Sequence, residues 1–238
     1  MVYNDISYGK EAWQKADIRV KEKSEKTVVY IHGGGLTGGD KTNAAEFRQG
    51  LYDAGYSVIS INYRLYPQAE FPGYIEDCAL ALQYVLRNTE KFGYGKNIAV
   101  IGGSAGAYIL SMLLFDEEYF SKYCISRNDF KAYLIDSAQP TTHFRVLEER
   151  GVEGNAIRID EASPIFFLKK CEFFPKLMLV TYEEDMFCRK EQNMMFSKAL
   201  ESYGIKHHFI ILKGKHCTGE YPDEDNEIKL IPLFNDFF

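Results

Sequence analysis

Short apolar runs rich in β-branched residues alternate along the chain with longer stretches in which apolar residues recur at helical spacing. The short runs predict strands at residues 17–20, 27–32, 57–63, 97–102, 131–135, 176–181 and 207–212. The helical spacing predicts helices at residues 43–54, 74–88, 105–114, 191–202 and 226–238. Because the predicted strands are apolar throughout, and not only at alternate positions, we expect helices to cover both of their faces.

This order of strands and helices predicts an α/β fold with a mostly parallel, doubly wound sheet of about seven to eight strands. The chain has 238 residues, a length that suits one domain, so we expect a single domain over residues 1–238. Sheets of this kind bind ligands beyond the carboxyl ends of their strands. Reactive side chains are therefore expected directly after strands.

A serine follows one predicted strand within the sequence Gly-Gly-Ser-Ala-Gly at residues 102–106, which fits G-x-S-x-G. A strand before it and a helix after it are the context of a nucleophile elbow. Such a turn would raise the hydroxyl of Ser104 above the sheet and place the amide of Ala105 at a helix N-terminus, facing an oxyanion. A glycine-rich turn that only packs closely, or that holds a phosphate, is the alternative that this context disfavours.

Three glycines, Gly33, Gly34 and Gly35, follow His32 at the end of an earlier predicted strand. A His-Gly-Gly-Gly loop can donate backbone amides to a tetrahedral intermediate, which would complete an oxyanion hole begun by Ala105. The alternative is a flexible turn. We expect His32 to brace this loop through hydrogen bonds and not to transfer protons.

A serine nucleophile needs a base, and the base needs an orienting carboxylate. Of the five histidines, His216 is the one that follows the last predicted strand in a loop, where its ring could reach over the sheet. The acid is expected after the strand of residues 176–181, where Asp185 is preferred and Glu184 is the rival. The order Ser, acid, His along the chain is that of G-x-S-x-G hydrolases.

Charge and cysteine content narrow the remaining possibilities. The formal net charge of −6, without any basic run, gives no sign of nucleic-acid binding. Neither a signal peptide nor a membrane-spanning stretch is evident. The five cysteines lack C-x-x-C spacing and predict neither a disulfide framework nor a zinc site. We expect a cytoplasmic protein with no metal, cofactor, nucleic-acid or membrane partner, and the sequence leaves its oligomeric state open.

Nearly the whole chain resembles the hormone-sensitive-lipase-like esterases of the α/β-hydrolase fold, and more closely their small acetyl-xylan/feruloyl-esterase-like and arylformamidase-like branch. The resemblance is carried by residues 30–41 (YIHGGGLTGGDK), 61–85, 100–110 (VIGGSAGAYIL), 162–168, 177–204 and 214–219 (GKHCTG). It implies that Ser104 is the nucleophile, Asp185 the acid and His216 the base. It also implies structural roles for Arg64 and Asp77.

Family members often carry His-Gly before the acid and Val-Pro after it, where this chain has Thr181-Tyr182 and Phe187-Cys188. The chain leaves no room for an N-terminal cap, so residues 138–170 are expected to be a short insertion over an otherwise open site.

The resemblance implies a serine carboxylesterase that hydrolyses short-chain, acetyl-type esters of small molecules through an acyl-enzyme. An arylformamidase-like amide hydrolase is the alternative within the same family, and a catalytically silent binding protein is the alternative on the same fold. Four side chains are expected to line the substrate pocket: Tyr108, His143, Phe144 and Tyr182.

Overall fold

The computed structural model describes residues 1–170, 174–219 and 230–238. The strands are β1 (Val2–Ser7), β2 (Lys15–Arg19), β3 (Lys26–Ile31), β4 (Ser57–Ile61), β5 (Asn97–Gly103), β6 (Ala132–Asp136), β7 (Lys176–Glu184) and β8 (His208–Lys215). The α-helices are α1 (Ala45–Asp53), α2 (Gly73–Arg87), α3 (Thr89–Phe92), α4 (Ala105–Phe115), α5 (Glu117–Lys122), α6 (Phe144–Glu149), α7 (Arg189–Ser202) and α8 (Leu230–Phe237).

The strands form one sheet in the order β1-β2-β4-β3-β5-β6-β7-β8. In the part of the sheet ordered β4-β3-β5-β6-β7-β8, all neighbouring strands are parallel. Strand β2 is antiparallel to both of its neighbours, β1 and β4. The mostly parallel sheet predicted from the apolar runs is therefore confirmed. Because β3, β5, β6, β7 and β8 run in one direction, their carboxyl ends, and the loops that follow them, meet at one edge.

Two apolar layers cover the sheet, one on each face. On one face α1 and α8 pack through Phe47 and Phe234 against strand residues such as Tyr30. On the other face α2, α4 and α7 bury residues such as Leu82 and Phe196. Strands covered on both sides have no polar face, which is why β3, β4, β5 and β6 are almost wholly buried and read as continuous apolar runs.

Several elements differ from the prediction, among them β1, β7 and α6. Strand β1 was not predicted, because as an edge strand it is largely exposed and lacks an apolar run. Strand β7 continues to Glu184, three residues past its predicted end, through a polar segment that its apolar pattern did not show. Within residues 138–170 the chain forms α6, which the sequence did not suggest. The predicted closing helix is present as α8, and its residues 226–229 lie outside the described residues.

The loop after β4 is fixed to α2 by one ion pair. Nε of Arg64 donates to Oδ2 of Asp77 and Nη2 donates to Oδ1, each at 2.8 Å, and the amide of Arg64 also donates to Oδ2. The side-chain amide of Gln14 donates to Oδ1 as well. A bidentate pair of this kind, with its carboxylate buried, ties three chain segments together, as the structural role implied for both residues requires.

Candidate active site

Ser104 lies in a tight turn between β5 and α4. Its φ of 54° and ψ of −114° are values that a side chain adopts only under constraint. A Cβ on Gly106 would stand 2.1 Å from the carbonyl oxygen of Ile31, and one on Gly102 would stand 2.5 Å from that of Gly106. The glycines of the motif therefore permit the close backbone packing that holds this turn, and the amide of Ser104 donates to the carbonyl of Asp136 at 2.8 Å.

The glycine loop after β3 packs directly on this turn. A Cβ on Gly33 would come within 3.0 Å of the Cβ of Ser104, so only glycine lets the loop approach the hydroxyl this closely. The amide of Ala105 opens α4 on the other side of Ser104. The glycine loop, with the backbone amides of Gly33, Gly34 and Gly35, therefore lies beside Ser104. The backbone amide of Ala105 also adjoins Ser104.

The ring of His32 supports the glycine loop from beneath. Its Nδ1–H donates to the carbonyl of Gly33 at 2.7 Å, and the ring stacks on Tyr63 with centroids 4.4 Å apart. Burial lowers the pKa of His32 to about 4, against the opposing effect of the hydrogen bond to Gly33. The ring is therefore neutral near pH 7, as the predicted bracing role requires.

Ser104, His216 and Asp185 form one hydrogen-bonded chain. The hydroxyl of Ser104 donates to Nε2 of His216 at 2.8 Å. Nδ1–H of the same ring donates to Oδ1 of Asp185 at 2.5 Å. These are the distances at which a nucleophile, its base and an orienting carboxylate work together. Glu184, the rival acid, is exposed at the end of β7 and makes neither contact.

Other hydrogen bonds fix the carboxylate of Asp185. Oδ2 accepts from the hydroxyls of Ser137 and Thr181, each at 2.8 Å, and Oδ1 accepts from the amide of Met186 at 2.7 Å. Burial alone would raise the pKa of Asp185, but the hydrogen bond and charge of His216, with the two hydroxyls, lower it to about 2. The carboxylate stays ionised near neutral pH and can stabilise a positively charged imidazole.

The loop that carries His216 is anchored by Tyr182. The phenol of Tyr182 donates to Oδ2 of Asp136 at 3.0 Å and accepts from the amide of Gly219 at 2.9 Å. The turn after β8 is closed by the amide of Thr218, which donates to the carbonyl of Lys215. The position of His216 is thus set by β7 and β6 as well as by its own strand.

A cavity of about 660 Å³ adjoins this site. Residues 153–157 and α6 form one wall, and residues 186–189 form another. Of the four expected pocket residues, Phe144 lines the cavity, and its ring lies 3.1 Å from where a Cβ on Gly35 would stand. The cavity is therefore lined by the loop after Asp185 and by Phe144, and the ring of Phe144 lies between the cavity and Gly35.

The other three expected pocket residues are buried and do not line this cavity. The hydroxyl of Tyr108 donates to the carbonyl of Ala162, and Tyr182 holds the His216 loop. Nδ1 of His143 accepts from the amide of Arg145 at the start of α6. These side chains support the walls of the site from behind, where their polar atoms have protein partners.

Sequence reasoning missed Ser137 and Thr181, and it also missed Arg189, a buried arginine that lines the cavity. Ser137 directly follows β6, so the rule that reactive side chains follow strands could have found it. Thr181 was assigned to the last position of a predicted strand, and its hydroxyl was not considered as a partner of Asp185. Arg189 begins α7, where it had no motif to mark it.

A model of the BD-FAE family matches residues 17–200. Esterase LipI of Mycobacterium tuberculosis is 38% identical over 88 residues, which are 36% of this chain and 28% of that protein. A probable isoprenylcysteine alpha-carbonyl methylesterase of Arabidopsis thaliana, ICMEL2, is 25% identical over 242 residues, which cover 91% of this chain and 57% of that protein. The chain thus spans between about a quarter and just over half of these curated relatives.

The crystal structure of esterase B from Lactobacillus Rhamnosis with a tributyrin phosphonate inhibitor superposes with a TM-score of 0.81 at 18% identity, covering 100% of this chain and 84% of that one. This likeness confirms the predicted α/β-hydrolase fold. Among the described residues, no helix is long and apolar enough to cross a bilayer.

Proposed function

The chain belongs to the BD-FAE family, and on that premise we propose that it is a serine esterase that hydrolyses short-chain, acetyl-type esters of small molecules. The observation that carries the proposal is the position of His216, whose ring joins the hydroxyl of Ser104 to the carboxylate of Asp185. The relatives named above are themselves called esterases, which supports the ester bond as the target.

Acylation begins when Oγ of Ser104 attacks the ester carbonyl while Nε2 of His216 takes the hydroxyl proton. The negative charge on the carbonyl oxygen is stabilised by the amide of Ala105 and by amides of the loop Gly33 to Gly35. Asp185, ionised because its pKa is held at about 2, stabilises the imidazolium. The tetrahedral intermediate collapses, His216 gives its proton to the leaving alkoxide, and an ester of Ser104 remains.

Deacylation repeats these steps with water as the nucleophile. His216 takes a proton from the water as it attacks the acyl carbonyl, and returns that proton to Oγ of Ser104 as the acid is released. Each proton thus moves through Nε2, because Nδ1–H stays bonded to Asp185. The fixed tautomer of His216 is what the carboxylate contributes to both halves of the cycle.

We further propose that residues 1–238 act as one domain in which residues 138–170 cover the site. This segment supplies Phe144 and one wall of the cavity, and Phe144 is the predicted pocket residue that we place against substrate. The four cysteines in the described residues are free thiols, which supports a reducing, cytoplasmic location.

The decisive experiment measures hydrolysis of p-nitrophenyl acetate, butyrate and octanoate by the wild type, Ser104→Ala and Ser111→Ala. Ser111 is the matched control, because it is buried in α4 and its hydroxyl donates only to the carbonyl of Ala107. We expect the acetate or butyrate to be cleaved best. We expect Ser104→Ala to lose about 10⁴-fold to 10⁶-fold in kcat, as removal of a triad nucleophile does.

Two results would contradict the proposal. Equal activity of Ser104→Ala and the wild type would remove Ser104 from the reaction. A wild type inert on all three esters would exclude the esterase, and the same assay with N-formylkynurenine would then decide between an amide hydrolase and a protein without hydrolytic activity.

A further inference from the structure

The cavity beside the triad is amphiphilic, and its polar part is buried. Apolar side chains that are largely exposed stand on its rim, among them Ile157 and Phe187. Deeper in the walls lie Gln139, Arg189 and Gln192, all of which are buried. A pocket with an apolar entrance and a few fixed polar groups selects ligands by the chemistry of those groups.

Arg189 is the charged group among them, and it has no ionic partner in the described part of the chain. The residue is 4% exposed. Its Nη1 donates to the carbonyl of Ser137 at 2.8 Å and Nη2 donates to Oε1 of Gln139 at 3.2 Å. Both acceptors are neutral, and no Asp or Glu oxygen of residues 1–170, 174–219 or 230–238 lies within 4.0 Å of the guanidinium.

Burying a guanidinium without an ionic partner costs folding free energy. Buried charges in proteins are normally paired for this reason. Burial lowers the pKa of Arg189 from its ordinary value, and the field of Asp185 only partly opposes this effect. The carboxylate of Asp185 is itself occupied by His216, Ser137, Thr181 and a backbone amide. Within the described residues the charge of Arg189 therefore has no direct counterion, while two neutral acceptors hold its guanidinium in place.

The N-terminus of α7 forms part of the same cavity wall as Arg189. This helix has 14 residues, begins at Arg189 and has Cys188 at its N-cap position, where no side-chain hydrogen bond caps it. Cys188, Arg189 and Gln192 of this first turn all line the cavity. The amide of Arg189 donates to the carbonyl of Met186, but the partial positive charge of the helix N-terminus favours the same kind of ligand as the buried arginine.

The carboxylates of the opposite wall do not supply the missing counterion. Glu148 pairs with Arg145 at 2.8 Å, and Glu153 is exposed at the cavity mouth. Their presence limits how much negative charge a ligand can bring. A single carboxylate matches the one guanidinium and its two-pronged geometry, whereas a phosphate dianion would exceed the positive charge available.

We infer that Arg189 and the first turn of α7 bind a carboxylate on the substrate, so that the preferred esters are those that carry an acid group away from the scissile bond. This inference rests on the proposed esterase function and specifies its substrate class. Phe144 bridges the cavity to the glycine loop, and Met186 follows Asp185 directly. On this inference the ester of the substrate lies at Ser104 and its acid group at Arg189.

The test compares each acid with its own methyl ester, which removes the charge and keeps the shape. On the acyl side the pair is p-nitrophenyl hydrogen glutarate and p-nitrophenyl methyl glutarate. On the alcohol side it is 4-acetoxyphenylacetate and its methyl ester. We expect the wild type to prefer the acid by about tenfold to a hundredfold in kcat/KM in at least one pair, as one charge-assisted contact provides. Equal rates within both pairs would overturn the inference.

Substitution of Arg189 tests whether this side chain causes the preference for the acid over its methyl ester. In Arg189→Gln we expect the acid-to-ester ratio of kcat/KM to fall to about one, with the methyl ester as the variant's own reference. Arg145→Gln is the matched control, because Arg145 belongs to α6 on the opposite side of the cavity and already has Glu148 as its partner, and it should keep the wild-type ratio. A preference that survives in folded Arg189→Gln, checked by circular dichroism, would contradict the assignment.

Binding provides a readout that does not need catalysis. In isothermal titration calorimetry of Ser104→Ala with each acid and its methyl ester, we expect the acid to bind more tightly. This difference should appear in the pair that the wild type discriminates. If p-nitrophenyl acetate is cleaved but no acid is favoured in rate or binding, only the carboxylate site fails. If no ester is cleaved, the proposed function fails, and the calorimetric comparison still decides whether the anion site exists.

Discussion

The two sides of the active site are held together by different forces. On the nucleophile side, β3 and β5 end in glycine turns whose backbones touch, so that a Cβ on Gly106 would stand 2.1 Å from the carbonyl oxygen of Ile31. On the acid side, the carboxylate of Asp185 is oriented by hydroxyls from Ser137 and Thr181. The first arrangement depends on the absence of side-chain volume and the second on side-chain hydrogen bonds.

This difference explains how freely each side can vary. Backbone contact leaves no room for a side chain at Gly102 or Gly106, so we expect the nucleophile side to tolerate few substitutions. A carboxylate can accept hydrogen bonds from many donors, so the acid side can be rebuilt with other residues. Thr181-Tyr182, where related proteins often have His-Gly, is such a rebuilding, since both residues now support the triad through their side chains.

The largest effect is expected on the acid side from a change of charge without a change of size. In Asp185→Asn the amide cannot hold His216 in the tautomer that accepts the proton of Ser104, so we expect kcat to fall by about 10⁴-fold. Glu184→Gln, the same change one residue earlier at an exposed position, should leave kcat within about twofold. Steady-state rates on p-nitrophenyl acetate measure both, and a reversed order would make Glu184 the acid.

On the nucleophile side, added volume should matter more than charge. Gly106→Ala forces a Cβ against backbone, and we expect the free energy of unfolding to fall by about 3 kcal/mol. Gly38 lies in the loop after β3, where the nearest atom to an added Cβ is 3.7 Å away. Gly38→Ala should therefore lower the free energy of unfolding by less than about 0.5 kcal/mol. Urea denaturation of both variants checks the difference, and equal losses would show that close packing does not hold the turn.

Lowering the pH should change the stability contributed by the two sides differently, and by a smaller free energy than the substitutions above. The pKa of His32 falls from 6.5 to about 4 on folding because the ring is buried. The unfolded chain therefore binds more protons between these values, and stability decreases as pH falls through them, by roughly 2 kcal/mol between pH 7 and pH 4.5. The pKa of Asp185 is lowered to about 2, so its contribution is lost only as pH falls below about 4.

Unfolding free energies of the wild type and His32→Asn across this pH range measure the effect. The asparagine amide can still donate to the carbonyl of Gly33, but it does not titrate. Burial also lowers the pKa of His143, so the variant should retain part of the slope and lose the part that belongs to His32. An unchanged slope would mean that His32 does not titrate as its burial requires.

The nucleophile side could be predicted from the sequence because its constraints are local. The strand of residues 97–102, the glycine pattern and the following helix are contiguous, and each is written in a few neighbouring residues. The alternation of strands and helices along the chain, and with it the α/β fold, was also predictable from apolar runs. Strand β1 was not, because an exposed edge strand has no apolar pattern to reveal it.

The acid side was only partly predictable, since its constraints join distant segments. Asp185 was selected by its place after a strand, but Ser137, 48 residues away in the chain, gives no local sign that it donates to this carboxylate. The same holds for Arg189, because its burial without a carboxylate partner among residues 1–170, 174–219 and 230–238 is a property of the folded environment. Tyr182 was expected to face substrate, whereas the extension of β7 to Glu184 places it inside the protein.

The base of the triad is carried by the outermost strand of the sheet, whereas the nucleophile follows a central one. Strand β8 is partly exposed along its length and is paired with β7, so local opening at this edge costs less than opening of the core. Such an event would withdraw the imidazole while the serine turn stays intact. We therefore expect heating to inactivate the protein through opening of β8 before the core unfolds, so that an inactivated population is still almost fully folded.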